Sequence, residues 1–263
     1  MKENIQSTSN PKVKAWSQLL TKKGRQQQGK FLVEGIHLVE EALKSSFDVE
    51  CVVYDEDRGV TEELKPWIDR KSKWIAASRA VIEKCSDTVN GQGVFAVVET
   101  PVFDESNLMK MDAPLGVIID GLQDPGNLGT IIRSADAAGA SYVVVGKNSV
   151  DVYNPKTIRS TMGSCFHLPV VSADLGEWLN AGRQAGVQVV STRLGASENC
   201  YDIDYRLPTW IIIGNEGQGV SKDITPYVTK EIMIPMKGQS ESLNAAMAAT
   251  ILLYEALRQR DFN

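Results

Sequence analysis

Three polar, glycine-bearing stretches of this 263-residue chain hold the side chains best suited to chemistry. DGLQDPGNLGTIIRSADAAGA (120–140) offers Asn127 and Arg133, GNEGQGVS (214–221) offers Glu216, and KGQSESLN (237–244) offers Ser242 and Asn244. Gly126 and Gly129 remove side chains near the start of an expected helix, where free N–H groups and positive potential suit an anion. Arg133, one turn beyond Gly129, adds a planar fork of donors able to grip a phosphate or carboxylate. Taken alone, the stretch also fits an ordinary βα turn carrying a surface arginine. Spacing excludes several chemistries. GxGxxG is missing, and GNEGQG has its glycines in another order, which disfavours a nicotinamide enzyme. There is no GxxxxGK[ST], no GxSxG elbow and no HExxH helix.

The elements that must position these residues follow from hydrophobic runs. LGVII (Leu115–Ile119) and YVVVG (Tyr142–Gly146) are expected strands flanking a helix, with Asn127 as its N-cap and Gly139 as its stop. Strand–turn–helix–strand implies a parallel sheet. The other two loops follow expected strands ending at Ile213 and near Ile234. Open α/β sheets bind ligands at the carboxyl ends of strands. Polar groups converging there from separate loops therefore indicate a site. Further elements expected in this half are a helix at 156–165 behind Asn154-Pro155, a strand at 168–171, a helix at 174–185 and a strand at 187–192. A last helix spans 243–260, with Leu243, Met247, Ile251, Tyr254 and Leu257 on one stripe, either core or subunit interface.

The N-terminal part reads as a separate α/β module. Helices are expected at 13–20, 36–45, 62–71 and 79–85, and strands at 31–35, 49–55, 73–78 and 92–99. KKGRQQQGK (22–30) is expected as a flexible basic loop. The domain plan is 1–100 for this module, 101–114 for a linker and 115–263 for the second domain.

Composition limits the options. Hydrophobic residues make up 43% of the chain, ample for a core, yet no apolar run is long enough for a membrane span. No signal core precedes the polar N-terminus, so the cytoplasm is the expected location. Cys51, Cys85, Cys165 and Cys200 are scattered, as reduced thiols are. His37 and His167 are far apart in sequence, so no metal site is expected. Net charge is −5, but Lys2, Lys12, Lys14, Lys22, Lys23, Arg25 and Lys30 face one acid, Glu3, within the first thirty residues. That excess fits either a phosphate-backbone contact or a solvated lysine-rich helix face.

In order, DPGNLGTIIRSADAAGA, IIIGNEGQGVS and IMIPMKGQSESLNAAMAATILLYEALR resemble the three motifs of the SpoU (TrmH-like) family of SPOUT methyltransferases. FLVEGIHLVEEAL and QGVFAVVE resemble the family's small RNA-binding domain of ribosomal L30e-like type. The resemblance implies a C-terminal SPOUT domain with a deep trefoil knot and a parallel sheet, a homodimer with its active site near the subunit interface, and S-adenosyl-L-methionine as methyl donor. Periodicity alone would have given an unknotted sheet, since knots are rare. It also implies that main-chain groups near Gly214, Ile234 and Leu243 hold the adenosine end of the cofactor, with Thr192 lining the same pocket.

By the same resemblance, Arg133 activates the ribose 2′-hydroxyl. Neutralising an arginine at pH 7 costs about 7 kcal/mol or more. A charged Arg133 that clamps RNA phosphate and stabilises the developing alkoxide is therefore preferred, with phosphate or water taking the proton. Asn127 is expected to position Arg133 or the ribose. Ser242 and Asn244 are expected at target or cofactor, or as caps of the last helix. Glu216 is expected to pair with a basic residue, such as an arginine of the active site or of the partner subunit. Transfer from a sulfonium asks for no metal. The implied activity is 2′-O-methylation of RNA, with 23S ribosomal RNA favoured over transfer RNA because a separate module can select folded RNA by shape. A non-catalytic RNA-binding assembly protein keeping the knot is the alternative of another class.

Overall fold

The computed structural model describes residues 3–68, 72–239 and 242–262. These divide into two compact units, Met1–Val102 with Tyr153–His167, and Phe103–Val152 with Leu168–Asn263.

The first unit runs β1 (Glu3–Ile5), α1 (Pro11–Gln18), α2 (Lys22–Gln28), β2 (Lys30–Glu34), α3 (Ile36–Lys44), β3 (Val49–Asp55), β4 (Lys73–Ala77), α4 (Arg79–Lys84) and β5 (Val94–Glu99). Its mixed sheet has the order β1-β4-β3-β5-β2, with β5 antiparallel to both neighbours. Val13, Trp16 and Leu19 pack with Leu32, Val53 and Phe95 to form its core.

Two local expectations are corrected here. The stretch expected as a flexible loop is α2: Thr21 caps it by accepting from Gly24 N–H at 3.1 Å, and Gly29 ends it in the left-handed conformation. Its glycines are thus a packing contact and a cap. The basic surface is also smaller than the sequence suggests. Arg25 is buried and donates to the Leu19 carbonyl at 2.7 Å, while Lys12 and Lys30 pair with Glu3 and Glu50. Lys14, Lys22 and Lys23 remain exposed, and Lys2 lies outside the described residues. Second, the helix expected at 62–71 is only a 3-10 turn, Lys65–Trp67, since Pro66 lacks the N–H a longer helix needs; 69–71 lie outside the described residues.

The chain continues through α5 (Glu105–Met109), β6 (Leu115–Ile119), α6 (Pro125–Ala137), β7 (Tyr142–Gly146), α7 (Pro155–Thr161), β8 (Val170–Ala173), α8 (Leu175–Gln184), β9 (Gln188–Thr192), β10 (Glu198–Asn199), β11 (Thr209–Ile213), β12 (Lys230–Met233) and α9 (Ala245–Asp261). Asn154 caps α7, with Pro155 at the first helical position. α7 belongs to the first unit, where the Tyr153 ring lies 4.5 Å from that of Phe31 and Arg159 bonds Asp87 at 2.7 Å.

The second unit's sheet has the order β10-β12-β9-β11-β6-β7-β8, every adjacent pair parallel. β6, β7 and β11 are buried at every position. That explains their unbroken apolar runs, since parallel strands are covered on both faces. Among the described residues, no helix is long and apolar enough to cross a membrane. The four cysteines are buried, and burial pushes the thiols of Cys51 and Cys85 up to about 12.

Trp210 of β11 anchors α8 to the sheet. It is fully buried and donates from Nε1 to the Tyr142 hydroxyl at 2.8 Å. A Cβ added at Gly182 of α8 would stand 2.0 Å from its ring. Gly182→Ala should therefore destabilise the protein by about 1–3 kcal/mol or more, read as a lower denaturant midpoint at unchanged slope.

Candidate active site

The carboxyl ends of β9, β11 and β12, with the start of α9, surround a cleft of ≈ 1090 Å³. Of the residues singled out from the sequence, Thr192, Gly214, Glu216, Ile234, Ser242, Leu243 and Asn244 all line it. Gly214 is required by close approach. A Cβ there would meet Gly219 C at 2.3 Å, Gly219 O at 2.4 Å and Val220 N at 2.4 Å, all backbone.

The loop after Gly214 is a fixed structure. Asn215 and Gly219 exchange backbone hydrogen bonds at 2.9 Å each. Asn215 Oδ1 accepts from the N–H groups of Gly217 and Gln218 at 2.9 and 3.0 Å, while its Nδ2 donates to the Gly121 carbonyl at 2.9 Å. The half-buried end of the loop is tied down where Ser221 N–H donates to Asp120 Oδ2 at 2.7 Å. Asn215 and Asp120 were not among the expected site residues. The signal for Asn215 was its place between glycines, where a short amide builds turns on neighbouring N–H groups.

The cap of α6 is a correction. Asp124, not Asn127, is the N-cap: its carboxylate accepts from Asn127 N–H at 2.7 Å, and Pro125 takes the first helical position. Asp-Pro supplies a cap and a preset φ together, so the helix starts earlier and the Asn127 side chain is freed. It joins a directed chain of amides. Asn244 caps α9, its Oδ1 accepting from Ala246 and Met247 N–H at 2.9 and 3.3 Å. That leaves its Nδ2 to donate to Asn127 Oδ1 at 3.0 Å, and Asn127 Nδ2 donates onward to Glu216 Oε1 at 3.2 Å. Ser242 is exposed and takes no part in the cap; 240 and 241 lie outside the described residues.

Glu216 is held by the turn that leads into α6. Among the described residues its carboxylate meets no basic side chain; it accepts from the N–H groups of Gln123 and Asp124 at 3.2 and 3.1 Å and from Asn127. Desolvation pushes its pKa up, but hydrogen bonds from its own N–H, Asp124, Asn127 and Gln123 outweigh that and hold it below the usual carboxylate range. A carboxyl with a depressed folded pKa stabilises above its unfolded value, about 4.3, and loses that contribution as pH falls through the folded value. Wild type and Glu216→Gln should thus differ in melting temperature at neutral pH and converge in acid, a comparison made by thermal melts across pH.

Arg133 stands apart. It is exposed on α6, is not among the cleft-lining residues, and has no hydrogen bond or ion pair within the described chain, while Gly129, expected on its face, is buried. The expected stripe of α9 also faces outward, with Leu243, Met247 and Tyr254 at 37%, 54% and 49% exposure. Ala246, Ala249, Leu252, Leu253 and Ala256 are the buried face, because small residues allow the close approach to α6 seen where Ser134 and Thr250 hydroxyls meet at 2.7 Å.

The fold and cleft define an α/β protein that holds a small organic ligand at the carboxyl ends of a parallel sheet. The chain belongs to the SpoU rRNA Methylase family, whose model matches residues 114–254. An MRM3-like substrate binding domain matches residues 10–96. The 23S rRNA (guanosine(2553)-2′-O)-methyltransferase RlmP of Bacillus subtilis is 38% identical over 96% of this chain and 98% of its own. A 23S rRNA (uridine(2479)-2′-O)-methyltransferase of Streptomyces viridochromogenes is 36% identical over 97% of this chain and 92% of its own. The crystal structure of the SpoU methyltransferase AviRb from that organism, in complex with AdoMet, superposes with a TM-score of 0.89 at 35% identity, covering 97% of this chain and 99% of AviRb.

Proposed function

We propose that this protein methylates a ribose 2′-hydroxyl of 23S ribosomal RNA with S-adenosyl-L-methionine as donor. The observation that carries this is the gathering of Thr192, Gly214, Glu216, Ile234, Ser242, Leu243 and Asn244 around one cleft in a chain of this family. The cleft fits the cofactor: its volume suits a ligand of that size, and the loop that follows Gly214 presents backbone groups where a side chain would collide. Gly214, Ile234 and Leu243 would hold the adenosine end through main-chain groups, with Thr192 beside them. The cofactor supplies a methyl group already activated on a sulfonium.

The chain's own residues must then align the ribose oxygen with the methyl carbon and manage one proton. The Asn244–Asn127–Glu216 relay sets the relation of α9, α6 and the glycine loop, and alignment of this kind is worth on the order of 7–11 kcal/mol in favourable cases. Arg133 stays charged, clamps an RNA phosphate and stabilises the developing alkoxide, while phosphate or water accepts the proton. Ser242 and Asn244 would meet the target or the cofactor, a role supported by their place in the cleft lining.

A homodimer is part of the proposal, because Arg133 lies outside its own chain's cleft lining and α9 presents an unpartnered apolar stripe. So are the trefoil knot of the C-terminal domain and a cytoplasmic location. Residues 1–100 would select RNA, supported by the substrate-binding match and by exposed Lys14, Lys22 and Lys23. The second unit, Phe103–Val152 with Leu168–Asn263, would carry the chemistry.

The test is transfer of labelled methyl to unmodified ribosomal RNA and transfer RNA in parallel. Label in ribosomal RNA, lost in Arg133→Ala, supports the proposal. Label in transfer RNA alone overturns the substrate. Cofactor binding without transfer to any RNA, naked or in ribosomal particles, overturns the activity.

A further inference from the structure

The chain has two histidines, and the fold brings both to Glu41. α3 places His37, Glu40 and Glu41 at i, i+3 and i+4, which is one helix face. One ligand atom from each lies within 4.8 Å of the others. His37 Nε2 lies 3.1 Å from the Met162 carbonyl oxygen. A carbonyl only accepts, so Nε2 carries the proton and the Nδ1 lone pair is left to bind. A second ring N–H held by a backbone carbonyl is the usual outer support of a metal-ligating histidine. Glu41 has such support too, meeting His167 Nε2 at 3.0 Å. Both outer partners come from the 153–167 segment, which belongs to the same unit.

We propose that His37, Glu40 and Glu41 bind a divalent first-row transition ion, with Zn2+ the best match. One imidazole and two carboxylates suit zinc better than the all-oxygen preference of Mg2+ or Ca2+. Three protein ligands leave a position for water. The Lys44 ammonium already sits 3.0 Å from both Glu40 and Glu41, so the pair collects positive charge. Lys44 is 45% exposed and can swing into water when a doubly charged ion enters.

The experiment is titration of Zn2+ into the untagged, chelator-treated protein against a chromophoric chelator, with thermal melts alongside. The four buried cysteines do not compete in the folded chain. One equivalent should bind, and the melting temperature should rise with Zn2+ but not with Mg2+. His167→Ala should weaken binding about 10–100-fold, as loss of an outer partner does, and His37→Ala more. Lys44→Met should tighten it, an effect that a plain salt-bridge cluster would not give. If His37→Ala melts well below wild type without metal, Glu40→Gln replaces it, with the same loss expected. No stoichiometric binding, or binding undiminished in both His37→Ala and Glu41→Gln, overturns the proposal.

Discussion

Arg133→Ala should slow methyl transfer by about 10²–10³-fold and leave S-adenosyl-L-methionine affinity unchanged. The two halves of that expectation come from different observations. Arg133 is not part of the cleft lining, so nothing in the geometry gives it a role in holding cofactor. It is exposed with no partner within the described chain, so its guanidinium is available to an RNA phosphate and to the charge that develops on the ribose oxygen. Removing one donor aimed at developing charge costs an enzyme about that factor. Arg133→Lys keeps the charge but loses the planar fork, so it should recover only a small part of the rate. Near-full turnover by the lysine variant would sink the bidentate clamp. A matching fall in cofactor affinity would place Arg133 in the cleft. Single-turnover rates and calorimetric cofactor titrations separate these outcomes.

Gly214→Ala should have the opposite signature, with cofactor affinity falling about 100-fold or more. A Cβ at this position meets three backbone atoms of Gly219 and Val220 at 2.3–2.4 Å, and backbone cannot rotate away as a side chain can. The loop has little freedom to yield. Asn215 pins it to Gly121, the Asn215–Gly219 pair closes it, and Ser221 is held by Asp120. The expected response is distortion of the cleft, while β11 below it stays buried and paired. Affinity within a few-fold of wild type would mean that the cofactor does not rest on this loop.

The two variants also test the homodimer together. If Arg133 serves a partner's cleft, a mixed dimer of Arg133→Ala and Gly214→Ala protomers holds one intact combination. Refolded mixtures should then recover activity that neither variant has alone. No recovery would mean that each Arg133 serves its own chain's cleft.

Much of this was legible in the residues. LGVII, YVVVG and TWIII marked the buried parallel strands, because strands covered on both faces have no reason to alternate. Three glycine-bearing loops marked the ligand edge, because βα loops at the carboxyl ends of a parallel sheet share one side. The Asn154-Pro155 cap was local chemistry and is seen as expected. Local rules failed where two of them competed. Asp124-Pro125 out-ranked Asn127 as the start of α6, and two glycines hid α2 because one is a packing contact and the other a cap.

The sequence by itself determined the α/β class, the family and the residue types around the cleft, since periodicity and motif order are properties of neighbouring positions. Only the tertiary structure decided what those residues touch. It made Glu216 an acceptor for backbone N–H groups within the chain, and faced the Leu243–Met247–Tyr254 stripe of α9 outward because alanines pack closer to α6. It also brought His37 and His167 to the same carboxylate, Glu41. Hydrogen bonds and ligand geometry act over a few ångströms of space, and no local pattern in the chain records which distant residues will share that space.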